Sequence, residues 1–478
     1  MSRWVLAAGA MVTAFLLLTD FRHGYLRDEL YFRLLRDHLS WGYYDQPPLV
    51  PWLARISTAV FGDTLWALRM PSALAIGVFT VLAGLVAREL GGGRGAQVLA
   101  AVAAGTAPWP LGNGDMLVTN AFDLPMWLAA ILFAVRALRG GDGRWWVAAG
   151  LVCGLATYNK YLIGLLGLGL LAGLLVAGPR RALAGRWLWA GVAVAVLVAA
   201  PNLVYQVVNG FPQLTMADAL AADRGAGFRV FFVPMQLIMI GPLLAPLWVA
   251  GWVWLAREPR LRAFAVAYPV CGVAVLLGGG RPDYIAGLVM LLLAAGCVAA
   301  GRLLTRVRWR VAAGAVVAVN ALFALAVAVP VLPLRTVLAS PIPRLNLKVT
   351  DSIGWPELAR QVAGVYHGLP DDEHAIVLTG NYGEAGALHR HGLRAVYSGH
   401  NELHRLGPPP ESATVAVVVG GAGVPVKTAF RRCVVAGRVD NGVGLRNAEQ
   451  GRPILLCRDR TDSWARLWPR FLHSHHYG

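Results

Sequence analysis

The sequence predicts an α-helical protein that crosses a membrane about eleven times and ends in a small α/β domain. Three observations predict it. Apolar runs of roughly 20 residues, the length a bilayer-spanning helix needs, recur as far as Leu334. The 478-residue chain is 57% hydrophobic and only 14% charged, where a soluble domain carries about 25% charged residues. Arginines gather in short clusters between the runs, and beyond Arg335 the composition changes: that last part holds nine of the eleven histidines and twelve of the 26 acidic residues.

The elements follow in order. The run 5–18 has the length of a signal-peptide core, but no small-residue cleavage site precedes Asp20, so it reads as a retained first helix. Further helices are expected at 65–87, 95–112, 122–138, 145–159, 161–178, 187–206, 230–254, 262–279, 284–301 and 311–333. The pair abutting at Lys160 is short enough to be broken or tilted. Between helices lie Arg88 and Arg94; Arg136, Arg139 and Arg144; Arg180, Arg181 and Arg186; Arg257, Arg260 and Arg262; and Arg302, Arg306, Arg308 and Arg310. Such clusters mark cytoplasmic loops, so the net charge of +17 reports topology and does not imply a nucleic-acid partner. Eleven crossings from a cytoplasmic N-terminus leave the tail outside, dividing the chain into a membrane domain, 1–334, and an extracytoplasmic domain, 335–478.

The tail opens with "GWPELARQVAGVYHGL", which reads as a helix, and continues through the apolar runs "AIVLTG", "RAVYSG", "TVAVVVGG", "RCVVAGRV" and "PILLCR". Glycine-rich turns and the short helix "GEAGALHRHG" separate them, as in one small α/β domain. Cys433 and Cys457 lie in this tail and can pair if it faces an oxidising compartment. Cys153, Cys271 and Cys297 fall in apolar segments and read as buried small hydrophobes.

Topology sorts the polar residues onto one face. The first outside loop, 20–64, holds "RDELYFRLLRDHLSWG", an amphipathic interfacial helix with Trp41, Tyr43 and Tyr44 at headgroup level. Pro47, Pro48 and Pro51 set an extended turn before a second interfacial helix. Asp28, near the start of the first helix, reads either as its N-cap or as a reactive carboxylate. Glu29 points about 100° away around a helix, to position a substrate or to brace the loop. Asp45 contacts substrate or caps its turn; Asp123 lines a cavity or caps the fourth helix. Lys160 in "YNKY" and Arg281 in "GGGRPDY" end outward-going helices at lipid-phosphate depth, either snorkelling or binding an anion, with Tyr161 and Tyr284 as hydroxyl partners. Arg69 contacts substrate or braces the first loop through an ion pair.

An Asp-Glu pair soon after the first apolar helix, then "GYYDQPPL", then "FGDTLWALRMPSAL" resemble the bacterial family 39 glycosyltransferases. These are relatives of protein O-mannosyltransferases and of the lipid A aminoarabinose transferase, with the GT-C membrane fold. The resemblance continues through "TNAFDLPMWLAAILFAVRAL", "GLATYNKYLIGLL" and, in the tail, "NYGEAGALHRHG" and "VYSGHNE". It implies an integral-membrane glycosyltransferase of the bacterial cytoplasmic membrane. Such an enzyme moves a hexosyl or pentosyl group, with inversion, from a polyprenyl-phosphate donor to a lipid, polysaccharide or protein acceptor of the cell envelope. It implies Asp28 as the general base. The substrate contacts it implies are Glu29, Tyr31, Asp45, Gln46, Arg69, Asp123, Lys160, Tyr161, Arg281 and Tyr284, the cations holding the departing lipid phosphate. Gln46 departs from the pattern, since many relatives carry His or Lys there.

No metal site is assigned by the sequence, and a divalent ion is left open. His389 and His391 lack a third ligand at suitable spacing, and "HSHH" at 473–476 reads as a loose end. "GGAGVP" and "GGGRG" lack a phosphate-loop lysine and read as turns. The absence of a nucleotide-binding fingerprint fits a lipid-linked sugar donor. Glu384 is a binding residue or a first-turn helix acid. Two other classes compete: a transporter or flippase of a lipid-linked or polar substrate, and a non-catalytic glycan-binding membrane protein. A transporter tends to place ionisable groups at mid-membrane and to carry paired broken helices in repeated halves; here the acids gather at the outer boundary and no clear repeat is visible.

Overall fold

Helices form wherever the sequence runs apolar, and the computed structural model describes them over residues 2–19, 24–370, 373–420 and 425–474. In order they are α1 (Arg3–Thr19), the loop helices α2 (Arg27–Leu35) and α3 (Leu49–Phe61), α4 (Leu65–Glu89), α5 (Arg94–Gly105), α6 (Pro108–Gly114), α7 (Thr119–Gly140), α8 (Trp145–Ala156), α9 (Ile163–Val176), α10 (Arg186–Val208), α11 (Pro212–Val230), α12 (Phe232–Ile240), α13 (Ala245–Arg257), α14 (Arg262–Leu277), α15 (Ala286–Ala299) and α16 (Val307–Ala328). Among the described residues, five helices are long and apolar enough to cross a membrane: Leu65–Glu89, Thr119–Gly140, Arg186–Val208, Pro282–Ala299 and Val307–Ala328. Shorter apolar helices, α1, α3, α8, α9 and α14, accompany them. The chain is a polytopic membrane protein.

Three expectations are corrected. The single helix expected at 230–254 is broken, and its halves, Phe232–Ile240 and Pro242–Arg257, meet at 91°. Gly241 takes a positive φ of 85°, which costs glycine little, and Pro242 lacks the N–H that would continue the helix. Asn320 on α16 donates to the Ile240 carbonyl at 3.0 Å, satisfying a group that the break leaves over. The helix expected at 95–112 is likewise divided, with Pro108 opening α6 at its first position. The stretch 206–229, which the expected helices 187–206 and 230–254 leave between them, is largely the helix α11.

Small residues let the helices touch backbone to backbone, as in membrane bundles generally. A Cβ on Gly251 would lie 1.8 Å from the Leu292 carbonyl oxygen, and one on Gly296 1.8 Å from that of Leu247. This zips α13 against α15, whose residues from Ala286 to Cys297 are all buried.

In the tail the expected apolar runs become strands: β1 (Ala375–Thr379), β2 (Val396–Ser398), β3 (Val415–Val419), β4 (Phe430–Arg438) and β5 (Pro453–Arg460). Their order is β2-β1-β3-β5-β4. β1 runs parallel to β2 and β3, while β5 is antiparallel to β3 and β4. Alternate residues face two cores: Val377, Val417 and Val419 pack with Leu358 and Val362, and Ile376, Leu378 and Val418 with Trp464 and Phe471. Three helices matter to the site or to its support: α17 (Trp355–His367), α18 (Tyr382–Arg390) and α19 (Glu402–Arg405). Cys433 and Cys457 face each other across β4 and β5 and are disulfide-bonded. Asp20, His475, His476 and residues 421–424 of the "GGAGVP" turn lie outside the described residues.

Candidate functional site

The first turn of α2 organises the site. Leu26 occupies the N-cap position, and Glu29, three residues on, accepts the Leu26 N–H at 2.8 Å. Asp28 is therefore not the N-cap, and that reading is corrected: its carboxylate lies inside the first turn. Glu29 is wholly committed elsewhere. Arg69 donates through Nε to Oε1 at 2.7 Å and through Nη2 to Oε2 at 2.8 Å, and the Leu117 N–H reaches Oε1 at 2.8 Å. Both side chains are fully buried. A buried ion pair persists only when such hydrogen bonds saturate it. Of the two roles the sequence leaves to Glu29 and Arg69, the geometry supplies the brace, pinning α2 to α4 and to the stretch before α7.

Asp28 is only partly buried, and the Tyr382 hydroxyl donates to its Oδ1 at 2.7 Å. Three cations lie close enough to feel its charge: Lys160, Arg281 and Lys348. Arg281 donates through Nε to Asp283 at 2.9 Å and leaves 43% of its side chain exposed. Gln236 of α12 donates to the Pro282 carbonyl at 2.8 Å and so holds the turn that carries Arg281. Tyr284 packs beside Gly280 at the same turn. Lys160 donates to Asn120, and Tyr161 donates to Asn202. Asp123, buried in α7, faces the charges of Lys160 and Asp283. Lys348, from the segment that follows the last apolar helix, donates to Asn113 at 2.9 Å and to the Gly112 carbonyl. Burial pushes its ammonium down to about 8.

A second group forms the seam between the first loop and the tail. Tyr31 donates to Asp45 Oδ1 at 2.9 Å, Asn401 donates to Asp45 Oδ2 at 2.9 Å, and the Tyr44 N–H donates to Glu402 at 2.7 Å. Asp45 keeps some exposed surface as a residue, yet its carboxylate is enclosed. Burial pushes it up to about 7, against the lowering effect of the Tyr31 bond. Asp45 thus fastens the loop to the tail. Gln46 is buried beside it. Glu384 accepts the N–H groups of Gly380 at 2.9 Å and Asn381 at 3.1 Å, while Asn381 accepts the Glu384 N–H at 3.0 Å. That is a capping box, the helix-acid role rather than the binding one, and burial raises Glu384 to about 7.

The structure thus gathers Asp28, Asp123, Lys160, Arg281 and Tyr284, sets Tyr31, Asp45 and Gln46 at the seam, and turns Glu29 and Arg69 into braces. Tyr382, Lys348, Asn401 and Gln236 were missed from the sequence. The signals that could have found the tail residues are the "NYGEAGAL" and "HNE" segments, which are part of the resemblance. Chemically, a partly exposed carboxylate among cations can take a proton from an alcohol while the cations neutralise a phosphate that leaves.

Residues 45–205 match the model of the dolichyl-phosphate-mannose-protein mannosyltransferase family, a segment that contains Asp45, Arg69, Asp123 and Lys160 and leaves Asp28 and Arg281 outside it. Two undecaprenyl phosphate-alpha-4-amino-4-deoxy-L-arabinose arabinosyl transferases of Pseudomonas fluorescens are each 30% identical to the chain, over 132 and 171 residues. These stretches cover 26% and 33% of this chain and only 22% and 30% of the relatives' length. Among solved structures, ArnT from Cupriavidus metallidurans bound to undecaprenyl phosphate superposes with a TM-score of 0.61 at 18% identity, covering 95% of this chain and 97% of that one. The mycobacterial arabinofuranosyltransferase AftD gives 0.54 at 15% identity over 97% of this chain and 40% of its own. The fold is that of these helical membrane proteins, and residues 45–205 are similar to the dolichyl-phosphate-mannose-protein mannosyltransferase family, while the chain spans less than a third of the length of the two arabinosyl transferases it matches.

Proposed function

We propose that the protein is a membrane glycosyltransferase that moves a sugar from a polyprenyl-phosphate donor to a hydroxyl of a cell-envelope acceptor, with Asp28 as general base. The observation that carries this reading is the partly exposed Asp28 carboxylate among Lys160, Arg281 and Lys348. In the step, the acceptor O–H proton passes to Asp28 as its oxygen bonds the anomeric carbon. The bond from that carbon to the phosphate oxygen breaks, and the lipid phosphate leaves with the electron pair. A single base with no covalent partner on the opposite face gives inversion. Lys160 and Arg281 hold the leaving phosphate, Asp123 and Tyr284 line the same space, and Tyr31 and Asp45 shape its wall.

The relatives named for undecaprenyl phosphate-linked aminoarabinose transfer, and the neighbour solved with undecaprenyl phosphate, support the choice of donor. The arginine clusters favour a cytoplasmic face at the opposite end of the bundle. The tail disulfide favours an oxidising compartment for residues 335–478. Both support a reaction at the outer face of a bacterial cytoplasmic membrane.

The test compares envelope lipids, polysaccharides and proteins by mass spectrometry in cells with and without the chain, and then with Asp28→Asn. The expected result is a glycosylated product that disappears with Asp28→Asn while the purified variant still binds undecaprenyl phosphate. A product that persists at wild-type level with Asp28→Asn removes Asp28 from the role of base.

A further inference from the structure

We infer that the tail is part of the reacting centre: Tyr382 is a positioning residue whose hydroxyl fixes one oxygen of Asp28, so that the other is presented to the acceptor. This deepens the glycosyltransferase reading and rests on it.

Four observations build the case. The Tyr382 hydroxyl lies 2.7 Å from Asp28 Oδ1. A phenol beside a carboxylate donates its hydrogen, and a bond to an ionised acceptor is among the strong ones. The ring cannot swing away freely, because it is stacked between Tyr31, 4.4 Å from centroid to centroid at 21°, and His400, at 4.8 Å and 15°. Its backbone is fixed as well: the Tyr382 N–H donates to His400 Nδ1 at 3.2 Å, and the Asn381–Glu384 capping box defines the helix start just before it.

The fourth observation is the close approach of the two helices that bring Tyr382 and Asp28 together. A Cβ on Gly386 would sit 2.5 Å from the Leu30 carbonyl oxygen, and one on Gly383 would sit 2.3 Å from the Arg27 side chain. Glycine at these two positions lets α18 lie directly on α2. Arg27 then reaches onward to Glu449 at 2.6 Å, closing a second clamp between loop and tail. Asp45–Asn401 and Tyr44–Glu402 add two more ties. A contact surface that needed only to hold the tail in place is complete without a hydroxyl at Tyr382. The hydroxyl is aimed instead at the carboxylate that faces the cations.

The consequence is specific. With Oδ1 engaged, proton uptake falls to Oδ2, and the carboxylate keeps one rotamer while the acceptor approaches. Tyr382→Phe keeps the ring and its stacking and deletes only the donor. On the product identified by the envelope comparison, this variant is expected to turn over about 10- to 100-fold more slowly, the range set by losing a hydrogen bond to a charged group. Its KM for the lipid donor and its binding of undecaprenyl phosphate stay within about twofold. In the Asp28→Asn background, Tyr382→Phe is expected to add nothing further to the loss of turnover.

If Tyr382→Phe turns over at the wild-type rate, the inference is wrong. A slower variant whose undecaprenyl phosphate binding falls in step assigns Tyr382 to packing alone, and also overturns it. A wild-type chain that transfers nothing overturns the glycosyltransferase reading and this inference with it. A transferring wild type beside an unaffected Tyr382→Phe overturns this inference alone.

Discussion

The two ends of the helical bundle carry charge in opposite ways. At the arginine-rich end, apart from the half-buried Arg136–Glu89 pair, exposed guanidinium groups donate to carbonyls at helix ends: Arg180 to Leu175 at 2.8 Å, Arg262 to Ala256 at 3.0 Å, and Arg260 to Arg139 at 3.0 Å. At the α2 end, charges of both signs are drawn inside and answer one another, from the fully buried Glu29–Arg69 pair to Arg281–Asp283. An exposed cation at a helix end gains little and costs little. A buried one is costly unless its neighbours are placed for it. Exposed basicity therefore marks one end of the bundle, and buried, answered charge marks the other.

Perturbing the two ends should separate these roles, beginning with the largest effect. Arg69→Met leaves Glu29 buried and unpaired, which costs about 3–5 kcal/mol. The expected outcome is loss of monodisperse protein in detergent size-exclusion chromatography, with partial recovery in the double variant Glu29→Gln, Arg69→Met. Next comes Arg281→Gln combined with Asp283→Asn, so that no buried carboxylate is left without its partner; this variant is expected to weaken binding of undecaprenyl phosphate about 10- to 100-fold with little change in the melting curve. A melting curve that collapses would make Arg281 a brace like Arg69.

The seam between loop and tail gives a smaller, pH-dependent effect. Asp45 is raised from 3.8 to about 7, so between those values the folded chain holds a proton that the unfolded chain has lost. Stability from this group is present at low pH and falls as pH rises through 7. Glu384, raised from 4.5 to about 7 in the same way, adds to the trend. Hydrogen exchange of the segment 42–46 is expected to speed up between pH 5 and 8, and Asp45→Asn is expected to flatten that dependence. The smallest effect belongs to the arginine end, where Arg260→Gln should change stability by no more than about 0.5 kcal/mol and leave undecaprenyl phosphate binding as it was. A marked loss of binding there would break the contrast between the ends.

Much of the fold was legible because its signals are local. Apolar runs and the arginines between them located helices near each expected place, and five short apolar runs located five strands. The break at Gly241 was legible too, in the Gly-Pro step, but it lies inside a continuous apolar run, and composition outweighed it. The helix α11 was hidden because its sequence is mixed and its moment weak, so the outside loop was the simpler reading. At the site, the sequence names residues but not most of their partners. Asp28 looked like a cap because Asp near a helix start is usually one; Glu29 took that work because it also had Arg69 to saturate it. Asp45 and Asn401, like Asp28 and Tyr382, meet across more than 350 residues, and no periodicity reports such a contact.

That separation has a consequence in time. Asp28 and Tyr382 are 354 residues apart, and a ribosome making about 5–20 residues per second takes roughly 20–70 s to travel from one to the other. Throughout that interval the first loop, with its carboxylate, has emerged without the hydroxyl that orients it. On the proposed roles, a nascent chain stays idle by its own sequence order, since Asp28 and Tyr382 meet only when the last third of the protein folds back onto the first loop.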